Sequence, residues 1–320
     1  MLNCNMMMEH LSFTLTPVNR LNYYSKRLGV NLYCKRDDLF AEAGGGNKAR
    51  MLQYILADVN PENCDVLVTA GGPCSNFNRA CALMCAKLGI PMHLVEYTDK
   101  PEEFDTALNY YICNLAGIRK TRCKKNNVPA TIQDVIDSYG AQKVKFVYGG
   151  GKSLEGIYSY YDAVTELKNQ VRCIDHVFVS CGTGTTLTGL CAGMHKYYPN
   201  AHIHAISVSR TFDGEKSILE EDMRILNEYL GTDYSFENMT FYEDYLCGGY
   251  DQTTPELLSV VKECIYREGM IIDPCYSGKS FYGMNEIIRN DTEQYRGKNI
   301  LYWNTGGLMN LLSMKKYYEF

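Results

Sequence analysis

A lysine directly after a glycine run, at the start of a helix, is placed for nucleophilic chemistry. Gly44-Gly45-Gly46-Asn47-Lys48-Ala49-Arg50 has that form. Met51, Leu52, Ile55, Leu56 and Val59 then recur as one apolar helix face, which puts Lys48 in the first turn. Helix N-termini carry partial positive charge and disfavour an ammonium. The neutral amine gains, and it is the form that makes a Schiff base with a carbonyl. Glycines let backbone and a flat ring approach closely. Taken alone, the same lysine also reads as a solvated side chain behind a flexible turn.

Two further stretches could do chemistry. Gly71-Gly72-Pro73-Cys74-Ser75-Asn76-Phe77-Asn78-Arg79 ends a β-prone run and opens a helical one. N–H groups and hydroxyls at a helix start suit a carboxylate, although Ser75 or Asn76 could equally be a plain helix cap. Ser180-Cys181-Gly182-Thr183-Gly184-Thr185-Thr186 also lies between strand and helix. Its backbone and hydroxyls suit an anion such as a phosphate. A dinucleotide is the alternative, but the third glycine of that fingerprint is missing.

Together these stretches resemble the D-cysteine desulfhydrase and 1-aminocyclopropane-1-carboxylate deaminase family, from about Leu15 to about Gly307. Arg36-Asp37-Asp38-Leu39 and Gly45-Gly46-Asn47-Lys48-Ala49-Arg50 carry the first part of the likeness. Gly71–Arg79 is similar to the family's Gly-Gly-x-Gln-Ser-Asn-His-x-Arg, with Cys74 for glutamine and Phe77 for histidine. Gly249-Tyr250, Asp273-Pro274-Cys275-Tyr276-Ser277-Gly278-Lys279 and Asn304-Thr305-Gly306-Gly307 carry the rest, with Asn304 for histidine.

The resemblance implies a pyridoxal 5'-phosphate enzyme of fold type II, tryptophan synthase β-like. Lys48 would hold the cofactor, with Asn47, Asn76, Gly182, Thr183, Gly184, Thr185, Thr186, Ser277 and Thr305 around it. Ser75, Asn76, Phe77 and Asn78 would meet the substrate, and Lys48, Ser75, Tyr250 and Tyr276 would act on it. Ser277 stands where the deaminase branch has a glutamate near the pyridine nitrogen. A hydroxyl supports a protonated ring nitrogen only weakly, which favours β-elimination from a small amino acid, giving ammonia and a keto acid. The alternatives are cyclopropane ring opening, β-replacement and a cofactor-binding module with altered catalysis; a Rossmann oxidoreductase ranks last. A homodimer is also implied.

The elements that must position these residues alternate. Val66–Ala70, Met92–Tyr97, His176–Ser180 and Ile203–Val208 read as strands, and Asn76–Leu88 reads as a helix closed by Gly89. Such alternation without hairpin signals predicts an α/β chain with two open parallel-sheet domains facing a cofactor cleft. By analogy, residues 1–49 plus 165–320 form the larger domain and 50–164 the smaller. The 320 residues are 46% hydrophobic with a formal net charge of -5 and no basic cluster, which argues against a nucleic-acid partner. Apolar runs stop well short of the roughly 20 residues a membrane span needs. Met1–His10 lacks a signal-peptide pattern, so a cytoplasmic location is expected. The 14 cysteines contain no C-x-x-C pair and read as reduced, buried small hydrophobes, with no metal site.

Overall fold

The computed structural model describes residues 15–314. The reading of Met1–His10 and both ends of the larger proposed domain lie outside them. Ten strands run along the described chain: β1 (Val18–Arg20), β2 (Asn31–Arg36), β3 (Val66–Gly71), β4 (Met92–Glu96), β5 (Arg119–Arg122), β6 (Val144–Phe146), β7 (His176–Cys181), β8 (His202–Ser207), β9 (Met239–Tyr242) and β10 (Asn299–Asn304). They form two sheets, a six-stranded one in the order β1-β2-β10-β7-β8-β9 and a four-stranded one in the order β5-β4-β3-β6.

Every pairing is parallel except β1 with β2. That exception needs no hairpin, because the helix Asn22–Leu28 connects the two strands. The central strands read as continuous apolar runs because helices cover both faces of a parallel sheet. In β7, Val177, Phe178 and Val179 are all fully buried. One core runs from the Lys48 helix (Asn47–Ile55) through the helices Asn76–Leu88, Leu154–Lys168 and Thr185–Tyr197. A second packs Asn22–Leu28, Pro255–Glu268 and Ser277–Asn290 against the larger sheet.

The topology fixes where chemistry can occur. β3, β7 and β10 end at Gly71, Cys181 and Asn304. Each of the three motif loops follows a strand's carboxyl end, where open α/β sheets bind ligands. The helix Asn76–Leu88 has the expected bounds, with Gly89 left-handed at its end. All 13 described cysteines are free, and most are buried. No helix among the described residues is long and apolar enough to cross a membrane.

Candidate active site

Lys48 is the second residue of its helix, as its sequence context predicts. The loop before it can only be glycine. Gly45 and Gly46 have φ of +76° and +91°, and a Cβ on Gly45 would lie 2.5 Å from the Asp38 carbonyl oxygen. A Cβ on Gly46 would lie 2.8 Å from that of Thr305. The Gly46 N–H donates to the Asp37 carbonyl and the Asn47 N–H to the Thr305 carbonyl. The start of the helix is thus pinned to the ends of β2 and β10.

A buried ionic network holds the helix from behind. The Asp37 carboxylate accepts from Thr16, Arg50, Tyr160 and Trp303, at 2.8 Å from the Arg50 Nη2 and 2.6 Å from the Tyr160 hydroxyl. Glu166 takes the other side of Arg50 and pairs with Lys35. These charges hold the Asp37 carboxyl below its usual range against the opposing effect of burial. Arg79, from the helix Asn76–Leu88, donates to the Gly44 and Gly45 carbonyls at 3.2 Å. No carboxylate pairs with it among its hydrogen bonds, and burial lowers its guanidinium to about 10.

The Lys48 amine lies on the wall of a cavity of about 1010 Å³ between the two sheets. It donates to the Gly150 carbonyl at 2.8 Å, and the Met51 sulfur lies 3.9 Å away. Desolvation lowers it from 10.5 to about 8. Asn47, Ser75, Asn76, Phe77, Tyr250 and Tyr276 share this cavity. So do Gly182, Thr183, Gly184, Thr186 and Thr305.

Both readings of Ser75 hold together. Its oxygen caps the helix by accepting from the Asn78 N–H at 3.2 Å, and its own proton stays available to a ligand in the cavity. Asn109 donates to the Asn76 side-chain oxygen at 3.1 Å, so what Asn76 can offer a ligand is its amide protons. The Tyr250 and Tyr276 hydroxyls meet at 2.6 Å. Burial raises both well above the ordinary phenol value. Tyr250 exposes 46% of its surface, while its hydroxyl meets that of Tyr276 and is raised by desolvation.

Three expected residues do not line the cavity. Asn78 is buried and donates to the Gly72 carbonyl. Ser277 is buried too, its hydroxyl committed to Asp273 at 2.7 Å and to the Gly306 carbonyl at 2.8 Å. Thr305, which meets Ser180 at 3.2 Å, is the hydroxyl that reaches the cavity from this side. Thr185 is fully buried at the first position of its helix.

Thr185 bears on whether a phosphate fits. Its Oγ1 is buried with no hydrogen-bond partner, and no side chain caps the 13-residue helix it opens. Uncapped N–H groups and the helix dipole, with Thr183 and Thr186 on the cavity wall beside them, form a seat for an anion. With a desolvated amine in the same cavity, these residues fit a cofactor carrying both an aldehyde and a phosphate.

Sequence reasoning missed Gly150, Asn109 and Arg79 as site-forming residues. Gly149-Gly150-Gly151 repeats the glycine signal of Gly44–Gly46 and could have been found. Asn109 carried no signal, because its role depends on two helices meeting.

A model of the family described as pyridoxal-phosphate dependent enzymes matches residues 11–306. A provisionally named 1-aminocyclopropane-1-carboxylate deaminase of Pyrococcus abyssi is 31% identical over 303 residues, 92% of this chain and 89% of that protein. A D-cysteine desulfhydrase of Yersinia pestis is 29% identical over 304 residues, 91% of each chain. The crystal structure of an ACC deaminase homologue superposes with a TM-score of 0.83 at 28% identity, covering 96% of this chain and 94% of that one.

Proposed function

The chain belongs to the family of pyridoxal-phosphate dependent enzymes, and from that premise we propose that it is a lyase that β-eliminates from a small amino acid, releasing ammonia and a keto acid. The observation that carries this reading is the pairing of a desolvated Lys48 amine with two protonated tyrosine hydroxyls in one cavity. Relatives named D-cysteine desulfhydrase and 1-aminocyclopropane-1-carboxylate deaminase support the substrate class.

Bound with its phosphate at Gly182–Thr186, pyridoxal phosphate supplies an electron sink for the pair left when the α-proton departs. The residues of this chain do the rest. Ser75 and the first-turn N–H groups of its helix hold the substrate carboxylate. The Lys48 amine, poised near neutral pH, takes the α-proton as general base. Tyr250 and Tyr276 stay protonated at neutral pH, so the pair can give a proton to the group leaving the β-carbon. Asn76, on the cavity wall, would hold the cofactor ring through its amide protons, and Asn47 steadies the phosphate loop through Thr186 at 3.1 Å.

Residues 1–49 plus 165–320 and residues 50–164 form the two domains of this proposal, with Lys100–Asp251 at 3.6 Å spanning the cleft mouth. A homodimer in the cytoplasm belongs to the same reading.

The test is a panel of D- and L-cysteine, serine derivatives and 1-aminocyclopropane-1-carboxylate on the holoenzyme. Keto acid and ammonia are measured together, and borohydride reduction with peptide mapping locates the cofactor. A pyridoxyl group on Lys48 and keto acid from a β-substituted amino acid are expected. Turnover of the cyclopropane alone would reject β-elimination, product only with an added nucleophile would indicate replacement, and an adduct on another lysine would remove Lys48.

A further inference from the structure

The cavity is larger than the proposed reaction on cysteine needs. A cofactor and a three-carbon amino acid fit the small end of the roughly 300–1,000 Å³ range of ligand pockets, whereas this cavity holds about 1010 Å³. The excess has a defined wall. Val128, Ile132 and Ile136 recur every fourth residue along the helix Val128–Ser138 and all face the cavity, with Pro129, Phe146 and Tyr148 beside them.

This wall is apolar surface left without cover. The core beneath it contains only Val68, Val95 and Val135 as buried members, with Ile132, Ile136 and Phe146 half-buried against them. Tyr148 exposes 64% of its surface and meets Phe146 edge to face at 4.8 Å. The wall is also continuous with the reacting amine. Gly150, whose carbonyl accepts from Lys48, follows Tyr148 by two residues.

Charge narrows the occupant. Apart from Lys48, each charged residue lining the cavity already faces an opposite charge. Lys100 lies 3.7 Å from Glu103 and 3.6 Å from Asp251, Lys125 lies 3.1 Å from Asp99, and Arg210 lies 2.8 Å from Glu215. A charged substituent would have to compete with these pairs, whereas a neutral apolar one would only displace water from the wall.

We propose that the wall formed by Val128, Ile132, Ile136, Phe146 and Tyr148 is a subsite for an apolar substituent on the leaving group, so that the enzyme cleaves S-alkyl and S-aralkyl cysteines. This rests on the β-elimination reading above and names its substrate class. The α-proton passes to Lys48, the Cβ–S bond breaks, and the sulfur leaves with the bonding pair and takes a proton to become a thiol. Water then hydrolyses the remaining enamine to keto acid and ammonium, with no net oxidation.

The test compares the holoenzyme on cysteine and its S-methyl, S-propyl and S-benzyl ethers, each as both enantiomers. Burial of a methylene is worth up to about fourfold in affinity, so KM is expected to fall two- to fourfold per added carbon. Binding is read separately by calorimetry with α-methyl analogues, which have no α-proton to lose. The benzyl analogue should bind with the more negative heat-capacity change. In Ile132→Asp, the ratio of kcat/KM for S-benzylcysteine to that for cysteine should drop at least tenfold.

Turnover of cysteine with kcat/KM falling steadily as the substituent grows would overturn the subsite and leave the β-elimination reading standing. An equal loss on both substrates in Ile132→Asp would assign the wall to cleft closure and also overturn it. No keto acid from any compound would reject the underlying reading as well.

Discussion

Replacing Lys48 by methionine in the cofactor-free protein should stabilise it. The amine lowered from 10.5 to about 8 implies a cost of up to roughly 3 kcal/mol for keeping the ammonium in its folded surroundings. The sign follows from proton counts. Between about pH 8 and 10.5 the unfolded chain holds the proton that the folded chain has lost, so native stability rises with pH through that window. Below it both states are protonated and the full cost is present. Lys48→Met has no charge to desolvate and keeps a similar length. At pH 7 the variant should be more stable by up to about 3 kcal/mol, and the gain should shrink from pH 8 and vanish above 10.5. Urea unfolding of both proteins at intervals from pH 6 to 11 measures this. A variant no more stable than the parent at pH 7, with a flat difference across the range, would refute the claim that burial activates this amine. The same shift predicts that about a tenth of Lys48 is neutral amine at pH 7, some hundreds of times more than for an ordinary lysine.

Asp37→Asn removes the charge facing Arg50 inside a fully buried network and should cost about 3–5 kcal/mol in chemical unfolding. Thr183→Ala should weaken pyridoxal phosphate binding about tenfold in a fluorescence titration, without lowering the melting temperature of the cofactor-free protein, since its side chain faces the cavity. Burial and neighbouring histidines lower His176 to about 4 and His204 to about 2. Their contribution is full above pH 6.5, is lost as pH falls toward 4 for His176 and keeps falling toward 2 for His204. Acid unfolding should therefore steepen by up to about 2.7 kcal/mol per pH unit and flatten in the His176→Gln, His204→Asn double variant. Ser277→Glu would set a second carboxylate against Asp273, already raised to about 6 by burial, so a lower melting temperature is expected rather than a cleanly altered cofactor spectrum.

Much of this arrangement was legible because local rules and tertiary structure agree. The terminal Gly89 marks a helix that forms where expected, whereas the helix of Lys48 starts as expected but stops at Ile55, with Leu56 as its cap and Val59 buried beyond it. Val66–Gly71 and His176–Cys181 are buried strands whose β-branched runs admit little else. Ser277 follows Asp273 by four residues in one motif, and that local carboxylate takes its hydroxyl before any ring can. Asn109 and the role of Arg79, which its place in the motif leaves open, were not legible for a different reason. Each acts by reaching a backbone carbonyl on a distant segment, Cys74 for one and Gly44 and Gly45 for the other, and backbone carbonyls have no sequence identity.

The position of β10 constrains how the protein comes into being. The last of the described strands lies between β2 and β7, paired along its length with the strand that starts at Asn31. The residues after it lay the floor under Gly46 and Asn47. During synthesis the first two strands can form, and the smaller sheet can close, while the gap at the centre of the larger sheet stays open. Contacts so distant in sequence form late. The side of the cleft that Thr305 supplies is therefore completed only when β10 has joined the sheet. Closure of the cofactor cleft thus waits on a strand more than 240 residues away from Lys48.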